Sequence, residues 1–303
     1  MSKSLILSHP RCLEHEPGVG HPESPARLQG ILDNIGDYEK APLATEDQIM
    51  LAHDPALLTL IKYATPAKGV AQLDADTFLS AASFEAARYG SGAACLGVDR
   101  LMQGKARHVF CASRPPGHHA THAQAMGFCL FNHIAIAACH ARKAYGLTRI
   151  AIVDFDVHHG NGTQDIVKGK SGLFYVSTHQ SPFYPGTGDV SENIAGNILN
   201  VPLRAGTNHA EYLQLFSELV LPALDDFKPE LLLVSAGFDA HQSDPLAALQ
   251  LTEATYRWLG AELAGIATKH AQSRMLSTLE GGYNIHALQK SVMAYLAGVE
   301  AIL

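Results

Sequence analysis

Residues 150–164 read "IAIVDFDVHHGNGTQ", an apolar run that ends in two aspartates, two histidines and two glycines between Asp154 and Gly162. Ionisable groups packed this closely at a strand end repel or lose solvation unless a metal ion, a hydrogen-bond network or solvent holds them. In an extended segment, residues two apart face the same way, so Asp156 and His158 can address one ion. Asp239, in "SAGFDAH", offers a third ligand from another apolar run. One imidazole and two carboxylates leave coordination positions open, as catalysis requires and a closed structural site does not. A solvated turn or a metal-free Asp–His pair is the plainer explanation of an isolated D-x-H. Asp239 and the other strand ends reverse that balance.

Two further groups of residues fit the same chemistry. In "RPPGHHA" (114–120), the prolines and Gly117 stiffen a turn that presents His118 and His119 together. Near a cation, adjacent imidazoles disfavour each other's charged form, which keeps one available as a base. Asp154 is placed to orient one of them and Asn161 the other. In "EGGYN" (280–284), Gly281 and Gly282 allow close backbone approach, and Tyr283 can donate to a developing oxyanion. Taken singly, these would be a surface histidine pair and a packing tyrosine. Together with an open metal site they permit water-driven amide hydrolysis with no Ser or Cys nucleophile.

Elements must bring these pieces together. Apolar runs recur at 4–9, 107–113, 149–157, 173–179, 198–203, 230–238 and 274–281. Helical spacing appears between many of them: at 24–35, where Ser24 is the expected N-cap and Pro25 the first helical residue, at 83–102, 208–227 and 252–270, and at the C-terminus. Continuous apolar strands alternating with helices imply an α/β fold, a mostly parallel sheet with helices on both faces. Ligands of such sheets sit beyond the carboxyl ends of the strands, where four of these runs release polar residues.

Composition narrows the function classes. The 303 residues carry 47% hydrophobic and 17% charged residues, ordinary for a folded chain, with no linker, repeat or low-complexity segment. One domain over 1–303 is the simplest reading. A net charge of −7 argues against nucleic acid as a direct partner. No run approaches the roughly 20 apolar residues of a membrane span. Five cysteines without C-x-x-C spacing fit a cytoplasmic setting.

Seven motifs together resemble the zinc-dependent histone deacetylase family: "HPESPARL" (21–28), "RPPGHHA", "GFCLFNHIAIAA" (127–138), "DFDVHHGNGTQ" (154–164), "PFYPGTG" (182–188), "SAGFDAH" (235–241) and "EGGYN". They run in family order over nearly the whole chain, and Asn161 and Glu280 resemble class II and bacterial members more than class I. The resemblance implies an arginase/deacetylase fold with a central, mostly parallel sheet of about eight strands. It implies Asp156, His158 and Asp239 as ligands of Zn²⁺ or Fe²⁺. His119 becomes the main proton shuttle, less basic than in class I because Asn161 backs it, with His118 as its partner, Asp154 behind His118, and Tyr283 as carbonyl clamp. A structural K⁺ or Na⁺ is implied at Asp154 and Ser177. Gly127, Phe128, Tyr184, Leu246, Gly281 and Gly282 become substrate-binding residues, with Tyr184 where Phe is commoner and His133 where Asn is usual. The implied partner is an acyl-lysine peptide or protein, or a small acylated amine, and an oligomer is compatible with this. Polyamine-selective relatives place a glutamate seven residues after the last ligand. Leu246 stands there, which favours acyl-lysine, although Asp76 in "LDADTF" is an acid placed to sit at the rim. The remaining alternatives are an acetylpolyamine amidohydrolase, a manganese ureohydrolase with a second ligand set, and a non-catalytic acyl-lysine binder.

Overall fold

The computed structural model describes residues 4–303. Its strands are β1 (Leu5–Ser8), β2 (Glu39–Lys40), β3 (Val70–Gln72), β4 (Phe78–Ser80), β5 (His108–Cys111), β6 (Ile150–Asp154), β7 (Leu173–Gln180), β8 (Ile198–Leu203), β9 (Leu231–Ala236) and β10 (Met275–Leu279). Eight of them form one sheet in the order β2-β1-β5-β10-β9-β6-β7-β8. Every pairing in it is parallel. β3 and β4 form a separate antiparallel hairpin.

The strands are apolar without alternation because both sheet faces are covered. Register shows the division. Ile152 pairs with Tyr175 and Leu233 on one face, and Val153 pairs with Val176 and Val234 on the other. The first set packs on the helices Ser83–Met102 and His133–Tyr145, through Ala94, Val98, Ile134 and Ala138. The second packs on Pro25–Ile35, Glu253–His270 and Ile285–Glu300, through Ile31, Leu259, Val292 and Tyr295. Each such fully buried aliphatic side chain contributes roughly 1.5–3 kcal/mol of transfer free energy.

Three local departures from the sequence reading have physical causes. Ser24 holds the N-cap position of the first long helix but makes no side-chain capping bond; Pro25 starts the helix as expected. The helical segment at 208–227 is broken into His209–Leu215, a π turn at Phe216–Val220 and Leu221–Phe227, because Pro222 has no N–H to continue the ladder. His133, the first residue of its helix, is buried, with Nδ1 bonded to the Ser91 hydroxyl and Nε2 donating to the Pro115 carbonyl. It therefore props the turn that carries His118 and His119. No helix of the described residues is long and apolar enough to cross a membrane.

Candidate active site

Four neighbouring strands, β5, β10, β9 and β6, release the candidate residues at one edge of the sheet. Asp156 and His158 follow β6, and Asp239 follows β9. Their ligand atoms lie within 4.8 Å of one another. His158 Nδ1 is 3.0 Å from Asp156 Oδ1 and 3.1 Å from Asp239 Oδ2. The second oxygen of each carboxylate is tied to backbone: Gly281 N–H donates to Asp156 Oδ2 (2.8 Å) and Val157 N–H to Asp239 Oδ1 (2.9 Å). Burial opposes a charge on His158, but Asp156 and Asp239 override it and push its pKa up to about 10. The carboxylate pair calls for a positive charge.

The space around the triad is shaped to glycine. A Cβ on Gly237 would meet Asp156 Oδ2 at 2.1 Å, and one on Gly281 would meet Asp239 Oδ2 at 2.1 Å. This corrects the reading of Gly281 and Gly282 as substrate-binding residues. Both lie beneath the cavity: Gly281 packs on the carboxylates, and the Gly282 carbonyl accepts from Arg27 Nε (2.6 Å). The donor set of one nitrogen and two hard oxygens suits a divalent Zn²⁺ or Fe²⁺.

The two histidines of the β5 loop have opposite surroundings. His118 Nδ1 lies 3.0 Å from Asp154 Oδ2, which also accepts from the Tyr175 hydroxyl (3.0 Å). Burial opposes its protonation, yet the charges of Asp154, Asp156 and Glu280 push its pKa up to about 10. His119 Nδ1 donates to Asn161 Oδ1 (2.8 Å), which leaves Nε2 with the free lone pair. Burial and the nearby His118 and His158 hold His119 well below the ordinary imidazole value. His118 is thus the cation and His119 the neutral base. Glu280 joins them from below, its Oε2 accepting from the N–H groups of Gly117 (2.7 Å) and His118 (3.1 Å).

A cavity of about 250 Å³ opens above the triad, lined by Asp76, His119, Gly127, Phe128, His158, Phe183, Tyr184, Leu246 and Tyr283. Tyr184 stands edge-on to His119 with ring centroids 5.2 Å apart, and Phe128 is edge-on to Tyr283 at 5.9 Å. Phe128 has φ of +68°, a left-handed conformation unusual for an aromatic, and follows Gly127 at +59°. A Cβ at Gly127 would meet the His119 ring at 2.5 Å, so only glycine lets this loop approach the base. Burial and the charges of Asp239 and Asp156 push the Tyr283 pKa well up, Arg27 opposing, so its hydroxyl keeps its proton at neutral pH.

Sequence reasoning missed Phe183, stacked on His158 with centroids 5.3 Å apart. It also missed a fully buried ionic layer under the cavity. Glu23 receives Arg114 Nε and Nη2 (2.5 and 2.6 Å) and Arg27 Nη1 (2.8 Å), with His15 Nε2 3.4 Å away. Arg27 also lies 4.9 Å from the Tyr283 ring centroid and donates to the Glu280 carbonyl. Only its place in "HPESPARL" marked this layer in the sequence. Ser177 lies beside Asp154 in the β6–β7 register, with its hydroxyl bonded to His179 Nδ1 (2.9 Å).

A parallel α/β sheet with this edge defines the class, and the comparisons agree. Residues 21–299 match the histone deacetylase domain, and the chain belongs to that family. Its relatives are deacetylases and amidohydrolases, which places the chain among amide hydrolases of the deacetylase type. The histone deacetylase-like amidohydrolase of Pseudomonas aeruginosa is 39% identical over 88% of this chain and 73% of its own length. A probable deacetylase of Methanothermobacter thermautotrophicus is 34% identical over 98% and 91%. The type-2 histone deacetylase 2 of Dictyostelium discoideum is 34% identical over 97% of the chain, which spans only 20% of that protein. Among solved structures, the HDA15 HD domain superposes with a TM-score of 0.89 at 32% identity, covering 99% of this chain and 94% of that one.

Proposed function

We propose that the chain hydrolyses the amide of N-acyl-lysine, in peptides or proteins, with a metal-activated water. The observation that carries this reading is the meeting of Asp156, His158 and Asp239 with His119 and Tyr283 at one cavity. Those three ligands would hold Zn²⁺ or Fe²⁺, which when bound supplies Lewis acidity and lowers the pKa of water toward about 7. His119 Nε2 takes the proton of the attacking water and returns one to the leaving amine. His118, held charged by Asp154, favours the negative charge that builds beside it. The Tyr283 O–H donates to the oxyanion. Phe128, Phe183 and Leu246 form apolar walls that suit the methylene stem of lysine and exclude water. Asp154 and Ser177 are the place for a monovalent cation. The fold is read as one catalytic domain across 1–303, acting in the cytoplasm without nucleic acid.

Acetate release from an acetyl-lysine peptide tests this, with metal analysis of the same sample. Hydrolysis that disappears on chelation and returns with Zn²⁺ or Fe²⁺ supports it. Peptide binding without acetate release in the metal-loaded protein would identify a non-catalytic binder instead.

A further inference from the structure

The cavity is apolar along its length but carries one carboxylate at its side. Asp76 lies in the turn between β3 and β4, so the small hairpin delivers it to the cavity. Its Oδ1 is used within the fold, accepting from the Gly127 N–H (3.1 Å) and the Thr77 hydroxyl (2.8 Å). Oδ2 is left to the cavity side, where the Tyr184 hydroxyl faces the carboxylate. Its immediate charged neighbour is another acid, Asp74, and no Lys or Arg contributes to its surroundings. His21, which packs edge-on against Phe128, gives no counter-charge either. Its Nδ1 accepts from the Glu23 N–H (3.1 Å), so its Nε2 carries the proton and points at the Asp76 carbonyl (3.4 Å). A half-buried carboxylate beside a binding cavity thus has no cation of its own.

Position says what would supply one. The Tyr184 ring stands on His119 at one end and reaches Asp76 with its hydroxyl at the other. The acid therefore sits about one tyrosine side chain from the base, past the apolar walls. An acyl-amine whose carbonyl lies at His119 and whose stem has lysine length ends beside Asp76. We propose that Asp76, oriented by Tyr184, is the specificity-determining residue of this cavity, and that it selects acylated amines bearing a second, positively charged nitrogen at the far end of the stem. A mono-acylated linear diamine has that chemistry, as does acyl-lysine with a free α-amine. Leu246 lacks the charge to do this, and Asp76 takes the task from a different loop. The inference rests on the amide-hydrolase reading of the cavity.

Two matched pairs test it: mono-acetylcadaverine against N-pentylacetamide, and Nε-acetyl-lysine amide against its Nα-acetylated form. The wild-type metal-loaded protein should favour the cationic member of at least one pair by about tenfold in kcat/KM, the range of a partly exposed charge pair. Added salt should shrink that preference. Asp76→Asn keeps the Oδ1 acceptor for Gly127 and Thr77 while removing the charge, and should bring the ratio near unity with turnover of the neutral members unchanged. Tyr184→Phe should reduce the ratio by a smaller factor. No preference in either pair, or a preference that survives Asp76→Asn, overturns the proposal. If the wild type hydrolyses none of the four compounds or an acetyl-lysine peptide, the hydrolase reading falls. Calorimetric affinities for the same pairs then carry the charge comparison.

Discussion

The floor of the cavity and its mouth are built on different terms. The floor consists of strand ends in the middle of an all-parallel sheet, with Asp154, Asp156, Asp239 and Glu280 fully buried and bonded to backbone N–H groups or neighbouring side chains. The mouth consists of loops at 73–77, 127–128 and 182–188, and Tyr184 keeps 37% of its surface exposed. Charge is compensated below by geometry that only glycine permits; above, one acid is left without a partner. A rigid floor that performs chemistry under a softer mouth that chooses the substrate lets selectivity change without disturbing the reaction.

Substitutions can break that division. Tyr283→Phe removes the oxyanion donor and should lower kcat by about a hundred- to a thousandfold with KM little changed, measured as acetate release. An equal loss in kcat and in substrate affinity would show that Tyr283 acts as a wall of the mouth and not as part of the floor. Beneath it, Glu23→Gln leaves Arg27 and Arg114 buried without their carboxylate, and should destabilise the fold by roughly 3–5 kcal/mol in urea unfolding. An unchanged unfolding midpoint would mean that the ionic layer does not support the floor.

Acid separates the regions by sign. Burial depresses His108 to about 3 and both His53 and His133 to about 4. Each binds its proton more readily in the unfolded chain, where its pKa is about 6.5. Their contribution is complete above about pH 6.5 and is lost progressively as pH falls toward 4 and then 3. Unfolding free energy should decline over that window, and His108→Gln should flatten the decline. The mildest effect belongs to the mouth. Phe183→Ala opens the wall that stacks on His158, and should raise KM by about tenfold with a smaller change in kcat.

The sequence revealed these regions unequally, for physical reasons. Seven of the eight sheet strands were legible because burial on both faces makes them continuously apolar. β2 spans only Glu39–Lys40, and β3 and β4 have three residues each, too short to carry a period. The helix His133–Tyr145 follows directly on a dense loop motif, which hid its start. The ligand residues stood out because charges ending apolar runs are anomalous. Glu23, Arg27 and Arg114 did not, since charged residues in a polar stretch look like surface until a third dimension shows them paired. Gly281 and Gly282 were noticed for the right property and placed on the wrong side of the carboxylates. Asp76 was recognised as an acid placed for the rim, but its lack of a counter-ion is a fact about neighbours from four distant loops.

The strand order has a consequence for how the molecule comes to life. β5, β10, β9 and β6 lie side by side, yet they carry residues from the first half of the chain and from its last tenth. No contiguous fragment holds the whole reactive set, and parallel neighbours of such wide sequence separation close late and slowly. During refolding, recovery of turnover should therefore lag behind recovery of helical signal. Synthesis must be almost finished before the first bond can be cut.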